Sequence, residues 1–320
     1  MGKKALVLSA GSITGAFQAG AIQQVLDSGF EPDIIHGTSV GSINGGVMVS
    51  EIGRLNNEFD WKEIGEYVAQ TWMKQFIDPS SVMVKKNRRQ IIYEIMTNRF
   101  NGLVSAHPIQ NFIRENVSLE NVRKSIIDFS AAAVDLVSGK VDYFDALSNN
   151  LVEGIVASAT IPIVMPTTYV GGTPYYDGAL RDVAPIKYVI DKGADEIIII
   201  VCQSQDISNK NLHTGNLMHL ITRIMDITVN ETVNNDIEEL RSLHSLVPVQ
   251  HANFTSNDDK RIIKYKVIRP NYELGYAIDN FERKDIYDMI SLGRITAQNT
   301  NNWSCFYMNN ESSVSIPASV

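Results

Sequence analysis

The 320-residue sequence predicts an α/β fold built on a mostly parallel central sheet flanked by helices. Three observations point there. Strand-like and helix-like stretches alternate through the first sixty residues, as parallel strands require when each crossover runs through a helix. Residues 197–201 (IIIIV) are apolar without a break, the mark of a strand covered on both faces. Gly37-Thr38-Ser39-Val40-Gly41 lies between an apolar strand-like run and a helix-like stretch, where the chain must turn sharply.

Residues 5–8 read as the first strand, 16–29 as a helix, 33–36 as the second strand and 42–50 as the helix that follows it. From about 60 to 116 the pattern is helical, with Ile64, Tyr67, Val68, Thr71, Trp72 and Phe76 at i, i+3, i+4 spacing. Strand-like runs return at 129–134 and 141–144. Residues 154–160 read as a short buried helix closed by Pro162, and 196–202 as a buried strand. A long helix is expected over 216–242, a last strand over 262–268 and a closing helix over 284–298. The expected organisation is one domain over 1–308, carrying a helical insertion at about 60–116. Residues 309–320 are small and polar and are expected to be a disordered tail.

Composition narrows the function. A formal net charge of −8 argues against a nucleic-acid binder. Two cysteines, Cys202 and Cys305, are too few for a disulfide framework, and Cys202 adjoins a buried strand, so a reducing compartment is expected. No apolar run reaches the roughly 18 residues that span a bilayer. The first apolar run breaks at Gly11 and reads as a strand, not a secretory signal. Leu6 stands where the Met-Gly acylation pattern needs Ser or Thr. These features together suggest a soluble, cytoplasmic protein. No cluster of His, Cys or acidic residues has metal-ligand spacing, and no metal or cofactor is expected.

The candidate nucleophile is Ser39, with Gly37 and Gly41 letting the backbone fold back on itself. An ordinary strand-to-helix turn is the competing reading of the pentapeptide. A serine nucleophile needs a base and a receiver for the charge that builds on the carbonyl oxygen. The receiver candidate is the small-residue loop 9–15 (SAGSITG), which follows the first strand and opens on the same sheet edge as the elbow. A dinucleotide loop is disfavoured, because Gly11, Gly15 and Gly20 lack the Gly-x-Gly-x-x-Gly spacing. None of His36, His107, His213, His219, His244 and His251 sits in a turn shaped for catalysis. Asp177, in Tyr176-Asp177-Gly178-Ala179, is the alternative base, although Asp-Gly after a short strand is also a plain turn signal.

Taken together, the loop after the first strand, Gly-x-Ser-x-Gly after the second and Asp-Gly-Ala downstream resemble the patatin-like phospholipases. The likeness runs through residues 5–20 (ALVLSAGSITGAFQAG), 32–45 (PDIIHGTSVGSING), 157–201, 230–240 and 268–293. It implies a three-layer α/β/α fold and a Ser–Asp dyad without histidine. Ser39 would attack an ester, Asp177 would take its proton, and the N–H groups of Gly11, Ser12 and Val40 would hold the oxyanion. The implied substrate is a fatty acyl ester of a phospholipid or lysophospholipid. One departure stands out: the family's loop is usually Gly-Gly-Gly-x-Arg/Lys-Gly, and here Thr14 replaces the basic residue.

Contact with a membrane surface is the role suggested for Lys85, Lys86, Arg88 and Arg89, which precede Ile91, Ile92, Ile95 and Met96; a solvated charge run on a core-packed helix fits the same pattern. Three other readings remain at this level: a histidine-triad esterase, a serine acyltransferase, and a catalytically weak protein that binds lipid or a partner.

Overall fold

The structure is a computed structural model that describes residues 2–208, 214–245 and 260–309. From the start, β1 (Lys3–Leu8) passes through a 3-10 turn (Ser12–Thr14) into α1 (Gly15–Asp27), and β2 (Ile34–Thr38) passes directly into α2 (Val40–Arg54). Next come α3 (Trp61–Gln75), β3 (Val84–Lys85), α4 (Arg88–Met96), β4 (Val104–Ser105), α5 (His107–Asn116) and α6 (Leu119–Lys124). β5 (Asp128–Asp135) and β6 (Val141–Asp145) form a hairpin, then α7 (Leu151–Ser158) leads to a second hairpin of β7 (Thr168–Val170) and β8 (Thr173–Asp177). The remainder is α8 (Ile186–Asp191), β9 (Ala194–Ile200), α9 (Leu217–Ser245), β10 (Lys260–Ile268), α10 (Arg283–Asn299) and β11 (Ser304–Asn309).

The main sheet runs β11-β10-β9-β1-β2-β5-β8-β7, with β6 also on β5. Its centre, β10 to β5, is parallel, and the other pairings are antiparallel. Side chains alternate between faces along each strand. Leu6, Leu8, Ile35 and Phe129 pack with α1, α2, α3 and α10 through Phe17, Met48, Ile64 and Met289. Ala5, Val7, Ile197 and Ile199 pack on the other side with Val189 of α8 and Val233 and Ile237 of α9. A sheet buried on both faces between two helical layers is the expected mostly parallel three-layer architecture.

Some boundaries differ from the sequence reading. The strand ending at Ile268 is not the last, because β11 pairs antiparallel with β10 from Lys260↔Asn309 to Tyr265↔Ser304. Asn309 therefore belongs to the sheet and not to the tail, while residues 310–320 lie outside the described residues. The 60–116 stretch is not wholly helical: β3 and β4 form a two-residue ladder, too short for any periodicity to reveal. The buried helix before Pro162 is Leu151–Ser158, three residues earlier at its start than its glycine suggested.

The shared edge of β5 positions the site. β6 pairs with Ser130 through Val134 along one edge. The other edge is divided between two strands. β2 occupies it up to Thr38↔Ala132, and β8 resumes at Ala133↔Asp177. The residue after Thr38 is Ser39, so the seam between β2 and β8 brings the end of one strand against the end of the other.

Candidate active site

Ser39 forms the bend between β2 and α2 with φ 55° and ψ −124°. A side chain held at positive φ costs about 1–2 kcal/mol, so its surroundings must hold it there. Ser42 does so from ahead, its N–H and hydroxyl donating to the Ser39 carbonyl at 2.9 and 2.6 Å. Ser158, at the end of α7, accepts the Ser39 N–H at 2.9 Å. The flanking glycines are steric necessities. A Cβ on Gly37 would lie 2.3 Å from the Gly41 carbonyl, and one on Gly41 would lie 2.1 Å from the Leu8 carbonyl oxygen. Both neighbours are backbone and have no rotamer to move. Gly41→Ala is therefore expected to lower stability by about 3 kcal/mol or more, read as a shifted urea midpoint; an unchanged midpoint would show a looser turn.

Asp177 ends β8, and its carboxylate is engaged on both oxygens. Ser39 Oγ donates to Oδ2 at 2.6 Å, and the Ala179 N–H donates to Oδ1 at 2.9 Å. The Asp177 N–H donates to the Thr160 carbonyl at 3.0 Å. Both side chains are buried, Ser39 at 6% and Asp177 at 4% exposure. Burial pushes the Asp177 carboxyl up to about 7, against the opposing pull of its two hydrogen bonds. A carboxylate with that affinity for protons is a far better base at neutral pH than a solvated one near 3.9.

The 9–15 loop lies alongside. Among the described residues, no acceptor faces the N–H groups of Gly11, Ser12 or Val40. Ser12 adopts φ 53°. Thr14, where the family pattern has a basic residue, closes the loop by donating its hydroxyl to the Gly11 carbonyl at 2.6 Å. The loop rests on a buried polar chain: Trp72 donates to Asn44, Asn44 to Gln18, and Gln18 to the carbonyls of Ser9 and Ile200. Such a chain is stable only when each member is satisfied, and it fixes the loop as a unit.

Two cavities meet at this point. One is narrow and apolar, about 40 Å³, walled by Val40, Ile43, Trp72, Phe76, Ile109 and Met165. The other is wider and mixed in character, about 370 Å³, and takes in Gly11, Asp177, His219, Arg223 and Glu273. Ser12, Ser39, Ile161 and Ile278 line both.

Among the described residues no histidine hydrogen-bonds to Ser39. His36 Nδ1 lies 2.6 Å from Ser130 Oγ, and burial, helped by Lys192, drives its pKa down to about 3. His107 pairs with Ser105, and His219 faces Asp279. His213, His251 and the His244 side chain lie outside the described residues. Cys202 is a buried free thiol whose pKa burial pushes up to about 12. Among the described residues there is no metal-binding group of His, Cys, Asp or Glu, and no helix is long and apolar enough to cross a membrane.

The basic cluster divides. Lys86 is withdrawn into an ion pair with Glu94 at 3.0 Å, its side chain only 10% exposed, and Lys85 reaches Asp279 at 3.4 Å. Arg88 and Arg89 are exposed. None of α4 is buried, so it is not a core-packed helix; Ile92, Ile95 and Met96 are 57%, 56% and 80% exposed. Sequence reasoning missed Ser158 and Thr160, which hold the backbones of Ser39 and Asp177; small polar residues in Ala157-Ser158-Ala159-Thr160 are the only signal they leave.

Residues 6–190, more than half of the chain, match the family model described as patatin-like phospholipase. The chain is 27% identical over 196 residues to proteins described as uncharacterized NTE family proteins of Mycobacterium bovis and Mycobacterium tuberculosis. That stretch is 61% of this chain and 48% of each relative, so the chain spans about half the length of the curated relatives it matches. The crystal structure of VipD from Legionella pneumophila aligns over 97% of this chain and 68% of that one, with a TM-score of 0.44 and 12% identity.

Proposed function

The chain belongs to the patatin-like phospholipase family, and from that premise we propose that it is a lipid acyl hydrolase acting through Ser39 and Asp177. The observation that carries the reading is the 2.6 Å hydrogen bond from Ser39 Oγ to a buried carboxylate poised near neutral pH. Ser39 Oγ attacks the ester carbonyl carbon while its proton passes to Asp177 Oδ2. The carbonyl π electrons move onto oxygen, where the N–H groups of Gly11, Ser12 and Val40 receive the charge. Collapse breaks the C–O bond, and Asp177 returns the proton to the leaving alcohol. Water then attacks the acyl-serine, again giving its proton to Asp177, and the fatty acid departs as Ser39 is restored.

The two cavities suggest how the substrate lies. The acyl chain takes the narrow apolar side, against Val40, Trp72 and Phe76, and the alcohol takes the wider, mixed side towards Arg223 and Glu273. At about 40 Å³ the apolar side is tight, so a long chain requires its walls to part. The substrate is then a fatty acyl ester of a phospholipid or lysophospholipid. The test is a lipid panel incubated with the purified protein and read by mass spectrometry for free fatty acid. Release that is absent, or equal in Ser39→Ala, overturns the reading.

Lipid reaches the site from a membrane face, and α4 is the segment suited to meet it, with exposed Ile92, Ile95 and Met96 beside exposed Arg88 and Arg89. Replacing Ile92, Ile95 and Met96 together with Ser is expected to weaken binding to anionic vesicles about tenfold, with hydrolysis of a soluble short-chain ester unchanged. Co-sedimentation that does not change would remove α4 from this role.

A further inference from the structure

Four residues line both cavities where they join, and two of them are isoleucines. The polar ones are Ser39 and Ser12. The Ser12 hydroxyl is shut off from solvent and, among the described residues, has no hydrogen-bond partner. Its neighbours differ. Ser9 donates to the Ala10 carbonyl and accepts from the Cys202 N–H, and Thr14 donates to the Gly11 carbonyl. Within the loop only the Ser12 hydroxyl is unspent. Among the described residues Thr38 Oγ1 is also unpartnered but lines neither cavity, and Gln203, whose Oε1 is unpartnered, lines the wider one, but that oxygen is an acceptor and cannot donate.

Backbone geometry sharpens the contrast. At φ 53° the Ser12 position is one that glycine occupies without strain. A side chain there is retained against two penalties, an unfavourable backbone region and a buried hydroxyl left without a partner. Both are understandable if the missing partner is the charge that forms during the reaction. A donor with no competing partner gives up no other hydrogen bond when that charge appears.

We propose that the Ser12 side chain is a catalytic residue, a hydroxyl donor to the oxyanion that supplements the backbone N–H groups; this rests on the acyl-hydrolase reading above. During attack the Ser39 Oγ–carbon bond forms and the Ser39 proton goes to Asp177. The carbonyl π pair becomes the oxyanion lone pair, to which Ser12 O–H donates a hydrogen bond while keeping its proton. The substituted serine thus adds a donor that three backbone amides alone do not provide, in a loop that carries Thr14 in place of a cation.

Ser12→Gly tests this directly, because it removes the hydroxyl, keeps the N–H and relieves the backbone. With a soluble p-nitrophenyl ester, kcat is expected to fall about 10- to 100-fold with KM within about twofold, and Ser12→Ala to fall equally. The inflection near pH 7 from Asp177 should stay in place, and labelling of Ser39 by a fluorophosphonate should slow in parallel with kcat. Melting of Ser12→Gly should be at or above that of the wild type. Activity of Ser12→Gly equal to or greater than the wild type overturns the proposal, as does a loss confined to Ser12→Ala, which would mark strain alone. A wild type that neither labels at Ser39 nor exceeds Ser39→Ala in hydrolysis overturns the acyl-hydrolase reading itself, and this proposal with it.

Discussion

Ser39→Ala is expected to cut ester turnover by at least about 10⁴-fold, since removing the nucleophile of a serine hydrolase leaves only binding and oxyanion contributions. In this site the loss has no fallback. The Ser42 hydroxyl is committed to the Ser39 carbonyl and the Ser158 oxygen to the Ser39 N–H, so neither neighbouring serine is placed to substitute. The measurement is fatty acid released per enzyme from phospholipid vesicles, with melting temperature alongside to exclude unfolding. Alanine keeps the same unfavourable φ as serine, so the backbone penalty cancels in the comparison. A variant that retains more than about one per cent of wild-type turnover would place the chemistry elsewhere.

Asp177→Asn is expected to do two opposite things. Activity should fall by about 10⁴-fold, because an amide cannot take the serine proton. In the wild type, kcat/KM should rise with pH through about 7, as the carboxyl releases its proton, and level above it. Stability should move the other way. The Asp177 carboxyl titrates at about 7 in the folded chain and near 3.8 when unexposed to this environment. Between those values the unfolded chain binds fewer protons than the native one, so wild-type stability declines as pH rises from about 4 to 7. The full shift corresponds to about 4 kcal/mol. Asn removes that titration, so the variant should gain on the wild type across this window and be the more stable of the two at pH 8. Paired urea melts at pH 5 and pH 8 read this, and a gap that does not widen with pH would mean the carboxyl is not held against its preference.

The elbow was legible because its reason is local. Gly37 and Gly41 are demanded by contacts within one turn and with the adjacent strand, and the pentapeptide records that demand in five consecutive letters. Asp177 was less so. An Asp-Gly pair is a common turn, and what brings this one to Ser39 is the register of two strands on β5, a relation between segments 138 positions apart. Ser158 and Thr160 each reach the site through one hydrogen bond to a backbone N–H, which leaves no periodicity, only a short run of small polar residues. The parallel centre of the sheet announced itself through unbroken apolar runs. β11 did not, since Ser304-Cys305-Phe306 buries only one large side chain and lies among asparagines. Lys86 illustrates the limit for charges, because its partner Glu94 lies eight residues on and helical spacing gives no warning of that pairing.

The hairpin of β7 and β8 turns through Gly171 and Gly172, both at positive φ, directly after the Val170↔Thr173 pair. From there to Asp177 the strand is five residues long, and a slip by one would send every side chain to the opposite surface. The length of that short ribbon therefore acts as a ruler, setting where the Asp177 carboxylate stops. A single residue inserted between Thr173 and Asp177 would carry the carboxylate off its pairing with Ala133 and away from Ser39.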